Sequence, residues 1–308
     1  MAGTRKPDHT RMNLAAAAAS VTVATVLVAL KLWALGSTAS LAVAASLADS
    51  AMDLMISLGG FLAILYAARP PDEDHAFGHT SVEDLAALGQ AVFILVSAGA
   101  IATAAIRRLF AEAPQPLADE GRGIVVMAVS IVLTLGLVLW QRRVVRRTGS
   151  RVVAADALHY LGDLVPALGA IAALGVSARF GIGHVDSVVA IAAAAMLAVG
   201  ALRIGKGAWD ALMDRAADPE LVAAIAALAR DWPGVKGFHD LKTRTAGSRV
   251  FVNLHIELDG DLPLREAHDI GAGLRRGIIE RFPQCDVIIH KDVAGAGAGR
   301  DGLAPPDR

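Results

Sequence analysis

Ser46-Leu47-Ala48-Asp49-Ser50-Ala51-Met52-Asp53 lies inside an apolar run covering about residues 39–68. Its two carboxylates are four residues apart, so a helix places both on one face. His159 and Asp163 repeat that spacing inside a later apolar run. An ionisable side chain at membrane depth is costly and marks a functional site by default. Two matched pairs ask for one explanation, a single ligand-bearing site built between two membrane-spanning helices.

Working outward, further apolar runs cover about residues 14–35, 84–110, 121–141, 152–178 and 185–207. Each reaches the roughly 20 residues that cross about 30 Å of hydrocarbon. Hydrophobic residues make up 55% of the 308 positions, and mean hydropathy is +0.51, too apolar for an ordinary soluble protein of this length. The formal net charge of −1 gives no global field directed at nucleic acid. Cys285 is the single cysteine, which rules out an internal disulfide framework or a CxxC metal site. The chain divides into a disordered arm at 1–12, six transmembrane helices at 13–208, a soluble domain at 209–292 and a disordered tail at 293–308. Lys and Arg gather at the N-terminus and around Arg69, Arg142–Arg151, Arg203 and Lys206, with Lys31, Arg107, Arg108 and Arg179 on the opposite side. That asymmetry puts both termini in the cytoplasm of a multi-pass inner-membrane protein.

After the sixth span the pattern becomes that of an aqueous domain. Asp218-Pro219-Glu220 opens a helix over 218–230, with an Asp cap and Pro at its first position. Residues 235–245 and 249–258 read as strands joined at Gly247-Ser248, the second with Val250, Val252, Leu254, Ile256 and Leu258 on one face. A helix at 264–282 and a strand at 286–290 complete an αββαβ order. That order suits a small α+β sandwich with its helices on one sheet face.

Three clusters carry ligand chemistry. Asp49, Asp53, His159 and Asp163 supply three carboxylates and an imidazole, a four-coordinate set for a divalent first-row metal such as Zn²⁺. The lack of thiolate disfavours Cu(I). Metal and protons competing for these groups is antiport chemistry, with His159 the natural proton carrier. Pro166 is expected to bend the fifth span beside them. Asp72, His75 and His79 form a shallow loop set after the second span. His239, His255, His268, His290 and Asp292 gather on the soluble domain, three of the histidines at the ends or faces of its three strands. Structural roles for single members remain the bland alternative, but the pairing and the companionship of these residues weigh against it.

These residues resemble the cation diffusion facilitators, most closely the bacterial zinc/ferrous-iron efflux (FieF-type) branch. The resemblance covers about residues 12–292 and includes the Asp-His-Ala-Phe-Gly-His loop, Gly237-Phe238-His239-Asp240-Leu241 and Asp286-Val287-Ile288-Ile289-His290-Lys291-Asp292. It implies a homodimer embedded in lipid, each protomer carrying a metallochaperone-like cytoplasmic domain, that exports divalent cation against proton influx by alternating access. Asp49, Asp53, His159 and Asp163 would be its transport site, Asp72, His75 and His79 its loop site. His239, His255, His268, His290 and Asp292 would be a binuclear site at the dimer interface. Zn²⁺ is the expected substrate and regulatory ligand, with Fe²⁺ or Cd²⁺ the other candidates. Relatives tie the dimer with a lysine near the start of the third span and an acidic residue after the sixth. Here those positions are Ser81 and Asp214. A membrane-anchored metal sensor without net transport is the alternative. An enzyme is not expected, since a metallohydrolase would need an open coordination position for water and the chain has no HExxH.

Overall fold

The structure is a computed structural model that describes residues 9–38, 41–110, 121–180 and 185–295. Residues 1–8 and 296–308, in the arm and tail, lie outside them. The chain forms two compact units, divided between Asp210 and Ala211.

Six long helices build the first unit: α1 (His9–Thr38), α2 (Leu41–Ala67), α3 (Ser81–Leu109), α4 (Gly121–Thr148), α5 (Arg151–Phe180) and α6 (Val185–Leu212). Residues 9–12 are therefore helical and not part of an irregular arm. Arg69-Pro70-Pro71 ends α2, because proline cannot continue the ladder of amide donors. The arginine stretch extends α4 instead of ending it. Arg146 and Arg147 occupy its last turn, where cations meet the negative end of the helix dipole. Gly149 then closes the helix at φ +69°, its amide donating to Val145 O at 2.8 Å. α5 runs unbroken past Pro166, whose side chain lies outside the described residues. Five helices contain described stretches long and apolar enough to cross a membrane. The sixth, α5, has 30 residues, with side chains described only as far as Val165.

Small residues let these helices approach closely. A Cβ on Gly200 of α6 would come within 2.7 Å of Leu158 on α5, and one on Gly162 of α5 within 3.1 Å of Leu197 on α6. Leu158 thus seats on Gly200 and Leu197 on Gly162, and along α5 the two contacts flank His159. A buried polar network joins four other faces. Gln141 Nε2 on α4 donates to Asp156 on α5 at 2.6 Å and to Ser20 on α1 at 2.7 Å. Ser57 on α2 donates to Asp156 at 3.0 Å and lies 2.9 Å from Tyr160 OH. Asp84 of α3 pairs with Arg151 at the start of α5 at 2.6 Å.

The second unit contains α7 (Pro219–Arg230), β1 (Gly237–Ala246), β2 (Arg249–Leu258), α8 (Leu264–Arg281) and β3 (Cys285–Val293). Asp218 caps α7, its carboxylate accepting from Glu220 N at 2.9 Å. Ala246 pairs with Arg249, so Gly247 (φ +54°) and Ser248 make the two-residue hairpin turn. The sheet order is β1-β2-β3, with β1 antiparallel and β3 parallel to β2. A parallel pair needs a crossover, which α8 supplies. Val252, Leu254, Ile256 and Val287 pack with Ile225, Leu274 and Ile278 from the two helices into one core. Trp232 lies across α8 over Gly273 and Gly277. Both helices cover one sheet face and leave the other for polar side chains.

Candidate metal centres

The first centre lies between α2 and α5. Its position follows from helical spacing: Asp53 faces α5, and His159 and Asp163 stand on successive turns facing α2. His159 Nε2 is 2.9 Å from Asp53 Oδ1, and both side chains are largely buried. Asp53, His159 and Asp163 each place a ligand atom within 4.8 Å of the others. Phe93 of α3 presents its ring edge-on to the imidazole at 5.8 Å between centroids. The two spans therefore touch at their ligand-bearing turns. Asp49 stands outside this close group. It sits one turn earlier on α2, about 6 Å along the axis, with its side chain exposed. Two further charged groups lie close by. Asp156 is three residues before His159 on the same α5 stripe. Lys31 lies on α1, its ammonium donating to Ser50 Oγ of α2 at 2.7 Å.

The loop centre is compact. Asp72 accepts from His75 N at 2.7 Å, and its second oxygen lies 3.1 Å from His79 Nε2. Gly78 takes φ +84°, which turns the chain so that His79 returns towards Asp72. His79 is buried against Tyr66, with ring centroids 4.7 Å apart, while Asp72 and His75 are exposed. Hydrogen bonding from the His75 amide and side chain, together with the nearby imidazoles, holds the Asp72 carboxyl below the usual carboxylate range.

The third centre is set by strand register. His239 is opposite His255, and His255 is opposite His290, so three imidazoles form a row across three strands. Neighbouring ring centroids lie 5.2 and 4.6 Å apart. Asp292 binds the row together: one oxygen is 2.9 Å from His255 and 3.3 Å from His239, the other 2.8 Å from His290. Burial pushes the Asp292 carboxyl up, but the hydrogen bond from His255 and the imidazole charges outweigh it and hold it low. His239, His255 and Asp292 place ligand atoms within 4.8 Å of one another. His268 does not join them. It lies exposed on α8, which packs against the opposite sheet face. Glu257, 3.2 Å from His239 Nδ1, was missed in the sequence. Its signal was the outward alternation of β2 and the facing Gly237, where a Cβ would come within 2.9 Å of its carboxylate.

Asp214, the acidic position after the sixth span, is engaged within its own unit, 3.2 Å from Arg244. Ser81 is exposed at the first residue of α3.

A family model for the cation efflux transmembrane domain matches residues 17–213, and one for the cation efflux protein cytoplasmic domain matches residues 217–293. The chain is 39% identical to the cation-efflux pump FieF of Serratia proteamaculans (strain 568) over 287 residues, 93% of this chain and 95% of the relative. It is 40% identical to the FieF pump of Cronobacter sakazakii (strain ATCC BAA-894) over 285 residues, 92% and 94% respectively. Among solved structures, the zinc form of the transporter CzrB is 35% identical, covering 27% of this chain and 96% of that one, with a TM-score of 0.26.

Proposed function

This chain belongs to the cation diffusion facilitator family, in its FieF-type branch, and from that premise we propose that it exports a divalent cation, Zn²⁺ foremost and Fe²⁺ or Cd²⁺ in second place, in exchange for protons. The observation that carries this reading is the 2.9 Å contact between His159 Nε2 and Asp53 Oδ1, with Asp163 beside it. A proton in that contact bridges two atoms that are both metal ligands. A cation entering the site displaces it, and a proton arriving from an acidic outer face re-forms the bridge and releases the cation. Asp49, one turn from Asp53 on the same face of α2, would complete the set as fourth ligand by a rotation of its side chain.

The protein is a homodimer in the inner membrane, with both termini cytoplasmic and no nucleic-acid partner. The loop centre holds a weakly bound ion near the membrane surface. The sheet centre holds ions that fasten two cytoplasmic domains together, and His268 serves it from across the dimer. Proton-driven Zn²⁺ flux into liposomes tests the proposal. Asp53→Ala and Asp163→Ala are each expected to lower that flux at least about tenfold, since losing even an outer-shell partner costs 10–100-fold in many metal sites. Wild-type flux in either variant would overturn this site, and Zn²⁺ bound at equilibrium by the wild-type protein without net flux would favour a membrane-anchored sensor.

A further inference from the structure

Lys31 is a cation to which the four-ligand site gives no role. It stands well inside α1, before the helix ends at Thr38, and is half-buried. A lysine in a membrane span ordinarily stretches its stem so that the ammonium reaches the interface. This one turns inward, donating at 2.7 Å to Ser50 Oγ, which is 1% exposed. Ser50 lies between the two carboxylates of α2. Asp49 directly precedes it, and Asp53 follows three residues later on the adjoining turn. Asp53 is the carboxylate in contact with His159. Held at Ser50, the ammonium stands beside the carboxylate-bearing turns of α2, and Asp53 is grouped in turn with His159 and Asp163 of α5. One tethered cation thus lies at the α2 side of the quartet, between its two carboxylates in sequence.

We propose that the Lys31 ammonium is a resident cation of the transport site. It stands in for part of the missing metal charge when the site is empty, and it weakens the hold on a divalent ion when the site is full. The proposal rests on the quartet being the transport site. Its physical basis is Coulombic. A fixed positive charge close to the ligands repels the incoming ion, and the repulsion is strong where little water intervenes. The three carboxylates alone would bind a divalent ion tightly and release it slowly. Because the lysine is bound to the chain, it cannot leave with the cargo, so it moderates affinity in every state in which it stays beside Ser50. It is a positioning and affinity-setting residue, not a ligand.

The test is the initial rate of Zn²⁺ flux in liposomes containing the full-length protein, measured against Zn²⁺ concentration at a fixed pH gradient. Lys31→Gln keeps a donor for Ser50 and removes the charge. It is expected to lower KM on the order of tenfold and to lower the maximal rate as release slows. Lys31→Arg restores the charge and is expected to return both constants towards wild type. A wild-type KM in Lys31→Gln would overturn the proposal, as would an Arg variant shifted as far as the Gln variant. Lys31→Met serves as a second uncharged variant if the Gln variant does not fold. Asp163→Ala separates the two layers of the argument. If it loses flux while Lys31→Gln keeps its KM, only the role of the lysine fails. If it transports as wild type does, the transport-site reading fails first.

Discussion

At the scale of single residues, the chemistry depends on where a charge or thiol is held. Asp259, at the end of β2, accepts from Lys236 at 2.9 Å and from Asp261 N at 3.1 Å. Those contacts place its carboxyl below the ordinary range. A carboxyl whose folded value is depressed adds stability above its unfolded value, near pH 3.9, and loses it as pH falls through the folded value. Asp259→Asn should therefore flatten the acid end of the melting-temperature profile below about pH 4. The effect should be small and should shrink with salt, because the pair is exposed; an acid limb as steep as wild type at low salt would contradict it. Cys285 is buried at the start of β3, and burial raises its thiol to about 11. The native protein should label with maleimide at neutral pH far more slowly than the urea-unfolded chain, because the thiolate is the reactive form. Equal labelling rates would show that β3 opens readily. The residues legible beforehand were those with a companion at helical or strand spacing, such as Asp53, His159 and the histidine row. Lys31 and Glu257 were not, because a charge without a like neighbour in sequence gives no periodic signal. Their partners come from α2 and β1.

At the scale of elements, close packing decides which substitutions are tolerated. Trp232 lies 2.7–2.8 Å from where a Cβ on Gly277 would be. Gly277→Ala should cost about 1–3 kcal/mol as the indole is forced aside, read as a lower melting temperature of the cytoplasmic unit by its tryptophan fluorescence. An unchanged melting temperature would mean that the ring has room to move. The number and order of the helices and strands could be read from the sequence, because apolar periodicity and turn residues are local. Some ends could not be. The arginines after residue 141 look like a loop in a hydropathy profile, yet they complete α4 because cations favour a helix C-terminus. The parallel pairing of β2 with β3 was also hidden, since it depends on α8 crossing the sheet.

At the scale of the whole molecule, each of the two units carries its own clusters of candidate metal ligands. If the cytoplasmic ions fasten two protomers together, Zn²⁺ should slow subunit exchange of the full-length dimer. In a His255→Ala, Asp292→Ala variant that slowing should be lost, along with at least one bound Zn²⁺ per protomer. Wild-type stoichiometry in the variant would place the ions elsewhere. The division into an apolar and a charged region was plain from composition. The separation of His268 from its neighbours within one protomer was not, because only the three-dimensional layering shows that α8 and the histidine row lie on opposite faces.

The histidine row has one more consequence. Its three rings hang from adjacent strands, whose separation of about 4.8 Å is fixed by backbone hydrogen bonds. A tetrahedral zinc with bonds of about 2.0–2.1 Å needs its ligand nitrogens ~3.3 Å apart, so neighbouring rings reach a shared ion by leaning together from strands held at that spacing. The sheet therefore acts as a ruler whose graduations no side-chain substitution can move. What it sets out is imidazole nitrogen with one carboxylate, a donor set that suits Zn²⁺ and not Ca²⁺, which takes oxygen ligands. The alignment of three donors would then be inherited from the fold itself, and replacing one ring would leave the other two at the same separation.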